Sequence, residues 1–120
     1  MWIIAGYELV DEDKRDAAVD AYRDLVIRAR RAPGCLDVEV TADSVDPRRI
    51  NNYERWESWD AIEAWRAQAA APDTGIAVHE VEVTAFEVAG SRPPFWKAPP
   101  GTPPPRPPTP RSTPTAQLLA

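Results

Sequence analysis

The chain has 120 residues, among them 14 prolines, one cysteine and one histidine, and a formal net charge of −5. That length holds one small hydrophobic core, the lone cysteine excludes an intrachain disulfide, and the lone histidine excludes a two- or three-histidine metal site built by one copy. All nineteen acidic residues precede residue 91, against ten basic ones, so that part carries −9 and the remainder +4, the wrong sign of field for nucleic acid.

Eleven of the prolines fall after residue 90. This divides the chain into a folding unit, 1–90, and a proline-rich tail, 91–120, expected to be disordered. The opening Met-Trp-Ile-Ile-Ala-Gly-Tyr-Glu has no basic leader and meets an acid at Glu8. The expectation is therefore a cytoplasmic protein without signal peptide or membrane span.

In chain order, Trp2 to Val10 reads as a buried strand, and Asp11-Glu12-Asp13 as a helix start with carboxylates at the positive end of the dipole. From Asp13 to Arg31, Ala18, Tyr22, Leu25 and Ala29 recur at steps of four, three and four, which predicts one helix of about five turns ended by Pro33-Gly34. Cys35 to Ala42 alternates, with Leu36, Val38, Val40 and Ala42 on one side. Asp46-Pro47 marks a turn, and Arg49 to Glu57 is a returning strand. Ser58 caps a second helix in which Ile62, Trp65 and Ala69 face inward and Pro72 to Gly75 ends the run. Ile76 to Val88 is the last strand, with a bulge expected near Thr84 or Ala85.

The order predicts an α+β, ferredoxin-like βαββαβ fold: a four-stranded antiparallel sheet with both helices on one face. Trp2, Ile4, Tyr53 and Val81 are expected on the bare face. A second copy would cover them, giving a homodimer joined sheet to sheet as a dimeric α+β barrel.

Several chemistries lack their residues. No glycine-rich loop precedes a helix, no serine or threonine occupies a nucleophile elbow, and the third strand lacks the aromatic signature of RNA-recognition modules. What that strand does carry is a face of Ile50, Asn52, Glu54 and Trp56, with Asn51, Tyr53 and Arg55 on the other. Residues four apart on a strand stand roughly 13–14 Å apart, so an amide and an indole could reach two ends of one flat polycyclic molecule. Trp65 would close the same space from the second helix, and Tyr7 could join it with its hydroxyl needing a partner.

Arg30-Arg31-Ala32-Pro33-Gly34-Cys35-Leu36, then Asn52-Tyr53-Glu54-Arg55-Trp56-Glu57-Ser58 leading into Ala61-Ile62-Glu63-Ala64, resembles the antibiotic biosynthesis monooxygenase domain. The resemblance spans about residues 2 to 88 and none of the tail. It implies the dimeric α+β barrel and one of several activities, among them cofactor-independent oxidation of anthrone-like polyketides, quinol oxidation and haem degradation. Asn52 and Trp56 reproduce the asparagine and tryptophan that the polyketide branch uses four residues apart, while Ile62 stands where some members carry an aromatic residue. Of the haem branch only Trp65 matches: Tyr7 replaces its first-strand asparagine, Gly75 its iron-ligating histidine, and His79 lies four residues further on.

The resemblance thus implies a cofactor-independent monooxygenase acting with O2 on a small aromatic polyketide or phenol, without cofactor or metal. Asn52, Trp56 and His79 are the expected catalytic residues, with Asn52 and Trp56 facing the oxyanion and His79 as base ahead of Glu54. Tyr7, Tyr22, Glu54, Ile62 and Trp65 are the expected substrate-binding residues. The rival from another class is a non-catalytic dimeric module that holds a hydrophobic metabolite. In the tail, Arg92-Pro93-Pro94-Phe95-Trp96 is expected to dock on the partner or cover a pocket mouth, and 97–120 to sample extended proline conformations.

Overall fold

The computed structural model describes residues 1–95, 100, 101, 103 and 106. The chain divides into two units, Met1–Glu87 and Val88–Ala120. In the second, Phe95 is almost fully exposed; Trp96 and nearly all of 97–120, with the expectations placed on them, lie outside the described residues.

The first unit runs β1 (Trp2–Val10), a 3₁₀ turn (Glu12–Lys14), α1 (Arg15–Ala21), α2 (Arg23–Arg30), β2 (Cys35–Ala42), β3 (Arg49–Trp56), α3 (Trp59–Arg66) and β4 (Val78–Glu87). The strands form one sheet in the order β2-β3-β1-β4 with every neighbouring pair antiparallel. This is the expected ferredoxin-like α+β architecture.

The first helix is two. The Tyr22 N–H bonds the Val19 carbonyl at 3.2 Å, an i to i−3 contact that tightens one turn between α1 and α2. Apolar spacings of three and four fit either bonding pattern, so periodicity could not reveal the break. The second helix stops at Arg66, short of Pro72, although Ala69 still packs on the core. Its start is as expected: the Ser58 hydroxyl accepts from the Ala61 N–H at 3.1 Å.

Register corrects the assignment of sheet faces. Trp2, Ile4, Gly6 and Glu8 pair with Trp56, Glu54, Asn52 and Ile50, and Ile4 is 4% exposed within the core cluster of Trp56, Ile62, Trp65, Ala29 and Val38. Trp2 and Ile4 therefore face the helices, not the bare side. Val81, opposite Glu8, is on the helix side too, and it is 61% exposed because the helices lie over β2 and β3 and leave β4 uncovered. The bare face carries Ile3, Ala5, Tyr7, Leu9, Tyr53 and Phe86.

Two irregularities also differ from expectation. β4 pairs in unbroken register through Thr84 and Ala85, and its shift occurs at the other end, where Leu9 meets Glu80 but Val10 meets Val78. β2 has a shift between Cys35 and Asp37 that leaves Leu36 exposed and puts Cys35 against the core. A bulge reverses side-chain parity, which alternation read from sequence assumes to be constant.

Two features hold the frame at its ends. Gly34 turns the chain at φ +82° and its carbonyl accepts from the Glu57 N–H at 2.8 Å, tying the α2–β2 turn to the start of α3. Across the sheet, Arg15 donates from one guanidinium nitrogen to the carbonyls of Asp43, Asp46 and Arg49, closing the β2–β3 loop onto α1.

Gly6 lies where β1 approaches β4 so closely that a Cβ would overlap the Glu82 carbonyl oxygen. Gly6→Ala is expected to lower stability by about 1–3 kcal/mol, read from the urea midpoint. In the β2–β3 loop, hydrogen bonds from the Asp46 N–H, the Asn51 amide and the Val45 N–H hold the Asp43 carboxyl at about 2, below its ordinary 3.8. A carboxylate stabilised by the fold contributes fully above its unfolded value and loses that contribution as pH falls through the folded one. Stability should therefore decline between about pH 4 and pH 2, and Asp43→Ala should flatten that limb of an acid titration.

Candidate active site

The strand alternation that buries Trp56 and Ile50 aims Asn52 and Glu54, which lie between them, into the space under the helices. There α2 and α3 do not meet the sheet fully. A chamber of about 210 Å³ remains, bounded by Tyr22, Leu25, Val26 and Ala29 from the helical layer, Val38, Glu39 and Val40 from β2, Asn52 and Glu54 from β3, and Trp65 from α3. An adjoining groove of about 410 Å³ shares Val26, Glu39 and Val40 and runs along edge strand β2 beneath Asp20, Arg23 and Arg30. The chamber alone is smaller than the roughly 300–1,000 Å³ of a drug-sized ligand site, so it suits one flat, compact ring system.

Its polar groups are few. The Asn52 amide and the Tyr22 hydroxyl make no hydrogen bond to any described residue, although both are half-buried on the chamber wall. Burial raises the Tyr22 phenol, and the neighbouring Glu8 carboxylate raises it further. Glu54 accepts the Trp56 indole N–H at 3.0 Å, so one carboxylate oxygen is held by the core. Cys35, beside this corner, has its thiol pushed up by burial, with Asp37 and Glu54 adding to it.

The structure brings together four of the residues singled out from sequence: Asn52, Glu54, Tyr22 and Trp65. Trp56 and Ile62 are fully buried in the core behind the chamber, and Trp56 stacks on Trp65 with ring centroids 6.4 Å apart. The Trp56 N–H is already committed to Glu54, so it is not a free donor. Tyr7 is corrected: it pairs with Asn51, lies on the bare face, carries the Arg49 guanidinium 4.0 Å over its ring and donates to Glu82 at 3.4 Å. His79 is corrected as well, since it lies at the irregular start of β4 with Nε2 2.8 Å from Asp11 Oδ1, away from the chamber-lining residues. No group of three or more His, Cys, Asp or Glu placed to hold a metal occurs among the described residues.

Sequence reasoning missed Glu8. Glu8 had a signal: it interrupts the helix-side set Trp2, Ile4, Gly6, Val10 with the only charge on that face of β1. Glu39 pairs with Tyr53, so alternation correctly gave its side chain to the other face, and it borders the chamber from the edge strand without turning into it.

A family model described as antibiotic biosynthesis monooxygenase matches residues 1–74. Among curated proteins none matches the sequence. Solved structures similar to the chain include provisionally named antibiotic biosynthesis monooxygenases from three bacteria. That from Deinococcus radiodurans is 19% identical with a TM-score of 0.67, over 78% of this chain and 97% of its own. That from Chloroflexus aurantiacus is 23% identical with a TM-score of 0.60, over 77% and 96%. That from Nitrosomonas europaea is 21% identical with a TM-score of 0.59, over 75% and 100%. At these identities the likeness establishes the fold.

Because Trp56 is wholly buried and holds Glu54, Trp56→Phe should cost about 1–3 kcal/mol of stability through lost packing and an orphaned carboxylate. Thermal unfolding of the variant beside Trp65→Phe, whose indole N–H bonds no described residue, would separate the two contributions.

Proposed function

The chain belongs to the antibiotic biosynthesis monooxygenase family, and we propose that within it this member oxidises a compact aromatic polyketide or phenol with O2, without a cofactor. The observation that supports this reading is the pair of half-buried polar groups, the Asn52 amide and the Tyr22 hydroxyl, on the wall of a largely apolar chamber and without a partner among the described residues. Neither group is a buried, unsatisfied atom, so both still reach solvent and are free to exchange water for the polar groups of a ligand.

The chemistry follows from the substrate. Removing a proton from an anthrone or phenol gives an electron-rich anion able to pass one electron to dioxygen; the radical pair then combines to a carbon-bound hydroperoxide, whose O–O bond breaks with loss of water to leave one oxygen as the quinone carbonyl. Asn52 donates to the oxyanion, where a fixed dipole needs no reorganisation as charge develops. Glu54 takes the role of base in place of His79: it lies on the chamber wall, and the Trp56 indole orients it while leaving its second oxygen free. Trp65 supplies a ring face for stacking.

The homodimer and its sheet-to-sheet contact belong to the same proposal. Ile3, Ala5, Leu9, Tyr53 and Phe86 form an apolar strip on the bare face, bordered by Glu80, Glu82 and Arg55, and a second copy would remove it from water. No helix is long and apolar enough to cross a membrane among the described residues.

Chelator-treated protein given a hydroxyanthrone under labelled dioxygen should incorporate one labelled atom into product. Asn52→Ala should lower kcat by about 10²–10³ and Glu54→Gln by about 10²–10⁴, while His79→Ala should leave turnover unchanged. Ligand binding without oxygen uptake across several anthrones and quinols would assign the chain to a non-catalytic binding module instead.

A further inference from the structure

Charge around the chamber is one-sided. Glu54 stands on its wall, while Glu39 pairs with Tyr53 and turns to the other face of the sheet; among the described residues no lysine or arginine lines the chamber. Glu8 adds a second carboxyl beside it. Register sets Glu8 on the helix face of β1, opposite Ile50, and Gly6, the preceding position on that face, pairs with Asn52 and has no side chain to stand between them. Ala18 packs with Val10 and Ile50, so Tyr22, one helical turn further along, reaches over the next step of the same face toward Asn52. Tyr22 faces Glu8 from the helical layer and its strand neighbours are Ile50 and Val81, while Arg49, Glu80 and Glu82 belong to the opposite face. Burial raises the Glu8 carboxyl, and the proximity of its charge is felt by the Tyr22 phenol.

The cations nearest the chamber are engaged or offset. Arg28 lies 5.8 Å from the Trp65 ring centroid and bonds the Asp24 carboxylate at 2.9 Å and the Ala69 carbonyl at 2.7 Å. Arg23 and Arg30 border the outer groove together with Asp20, and Arg30 donates to the Val38 carbonyl at 2.9 Å and pairs with Asp37 at 3.7 Å. A carboxylate entering the chamber would meet like charge with no counter-ion on the lining among the described residues.

We propose that the chamber selects uncharged, hydroxyl-bearing aromatic substrates against their carboxylated counterparts, with Glu8 as the residue that, alongside Tyr22, accepts a donor substituent and repels an anionic one. This rests on the oxygenase reading of the same site and extends it to substrate class: the compound must arrive with its carboxyl end already removed or masked.

Three ring-matched probes test it by quenching of tryptophan fluorescence: a dihydroxyanthraquinone, its carboxylic acid and the methyl ester of that acid, at pH 7.5. The parent and the ester should bind alike and the acid at least about tenfold more weakly, since the repulsion between like charges under low effective dielectric exceeds that factor at contact distances. Glu8→Gln, close to isosteric, should narrow the gap by about threefold or more by tightening the acid and weakening the parent. Equal binding of acid and parent, or an ester as weak as the acid, overturns the proposal by showing that charge is not what is read. An unchanged gap in Glu8→Gln overturns the role of Glu8. If acid and parent bind equally while oxygen uptake with a hydroxyanthrone persists, only the selectivity is lost. If no probe binds and no oxygen is consumed, the oxygenase reading and this one both fall.

Discussion

The antiparallel pairing of β3 with β1 is the constraint on which the rest depends. Side chains alternate across a strand, so the single register that sets Trp2 against Trp56 and Glu8 against Ile50 decides every occupant of both faces between them. Under the helices it puts buried Ile4 beside Glu54 and side-chain-free Gly6 beside Asn52. On the bare face it sets Tyr7 beside Asn51 and Ala5 beside Tyr53. A slip of one residue would exchange the amide and carboxylate of the chamber for the tyrosines and arginines of the outer surface.

The core and the candidate site share one wall. Trp56, Ile50, Ile62 and Val10 are fully buried, and each contributes on the order of 1.5–3 kcal/mol by leaving water. Trp56 also commits its only polar atom to Glu54, so the largest fully buried side chain in the unit orients a carboxylate on the chamber wall. The two clusters of buried residues gather on Trp56 at one end of the sheet and on Ile50 at the other. The strand positions between these ends, Asn52 and Glu54, are the polar ones, and the helical layer opposite them breaks at Tyr22. An unfilled space between two packed ends is what a small ligand site requires of a domain this size.

The electrostatics point the same way on two scales. The first 90 residues carry a large acidic excess, and the residues lining the chamber include the Glu54 carboxylate but, among the described residues, no cation. A site of this character favours the approach of neutral or cationic molecules and holds an anion only as it forms inside, where the Asn52 amide can meet it. The positive charges that exist near the helices are turned to structural work, as in the clamp of Arg15 on the β2–β3 loop and of Arg28 on the carbonyls after α3.

Much of this was legible along the chain because local physics repeats. Periods of two and of three to four gave the strands and helices in order, Ser58 and Gly34 marked a cap and a turn, and the alternation of Ile50, Asn52, Glu54 and Trp56 correctly shared out the faces of β3. What remained hidden was whatever depends on a second element. Pairing with β3 turned Trp2 and Ile4 inward and Tyr7 outward, the bulge at Leu36 reversed parity on β2, and His79 found Asp11 at the far end of the sheet. The sequence by itself determined which segments fold and which side chains travel together on one strand, because those follow from backbone geometry within a few residues. Only the tertiary structure decided which of those sets faces a cavity, because facing is a relation between strands whose register no single strand contains.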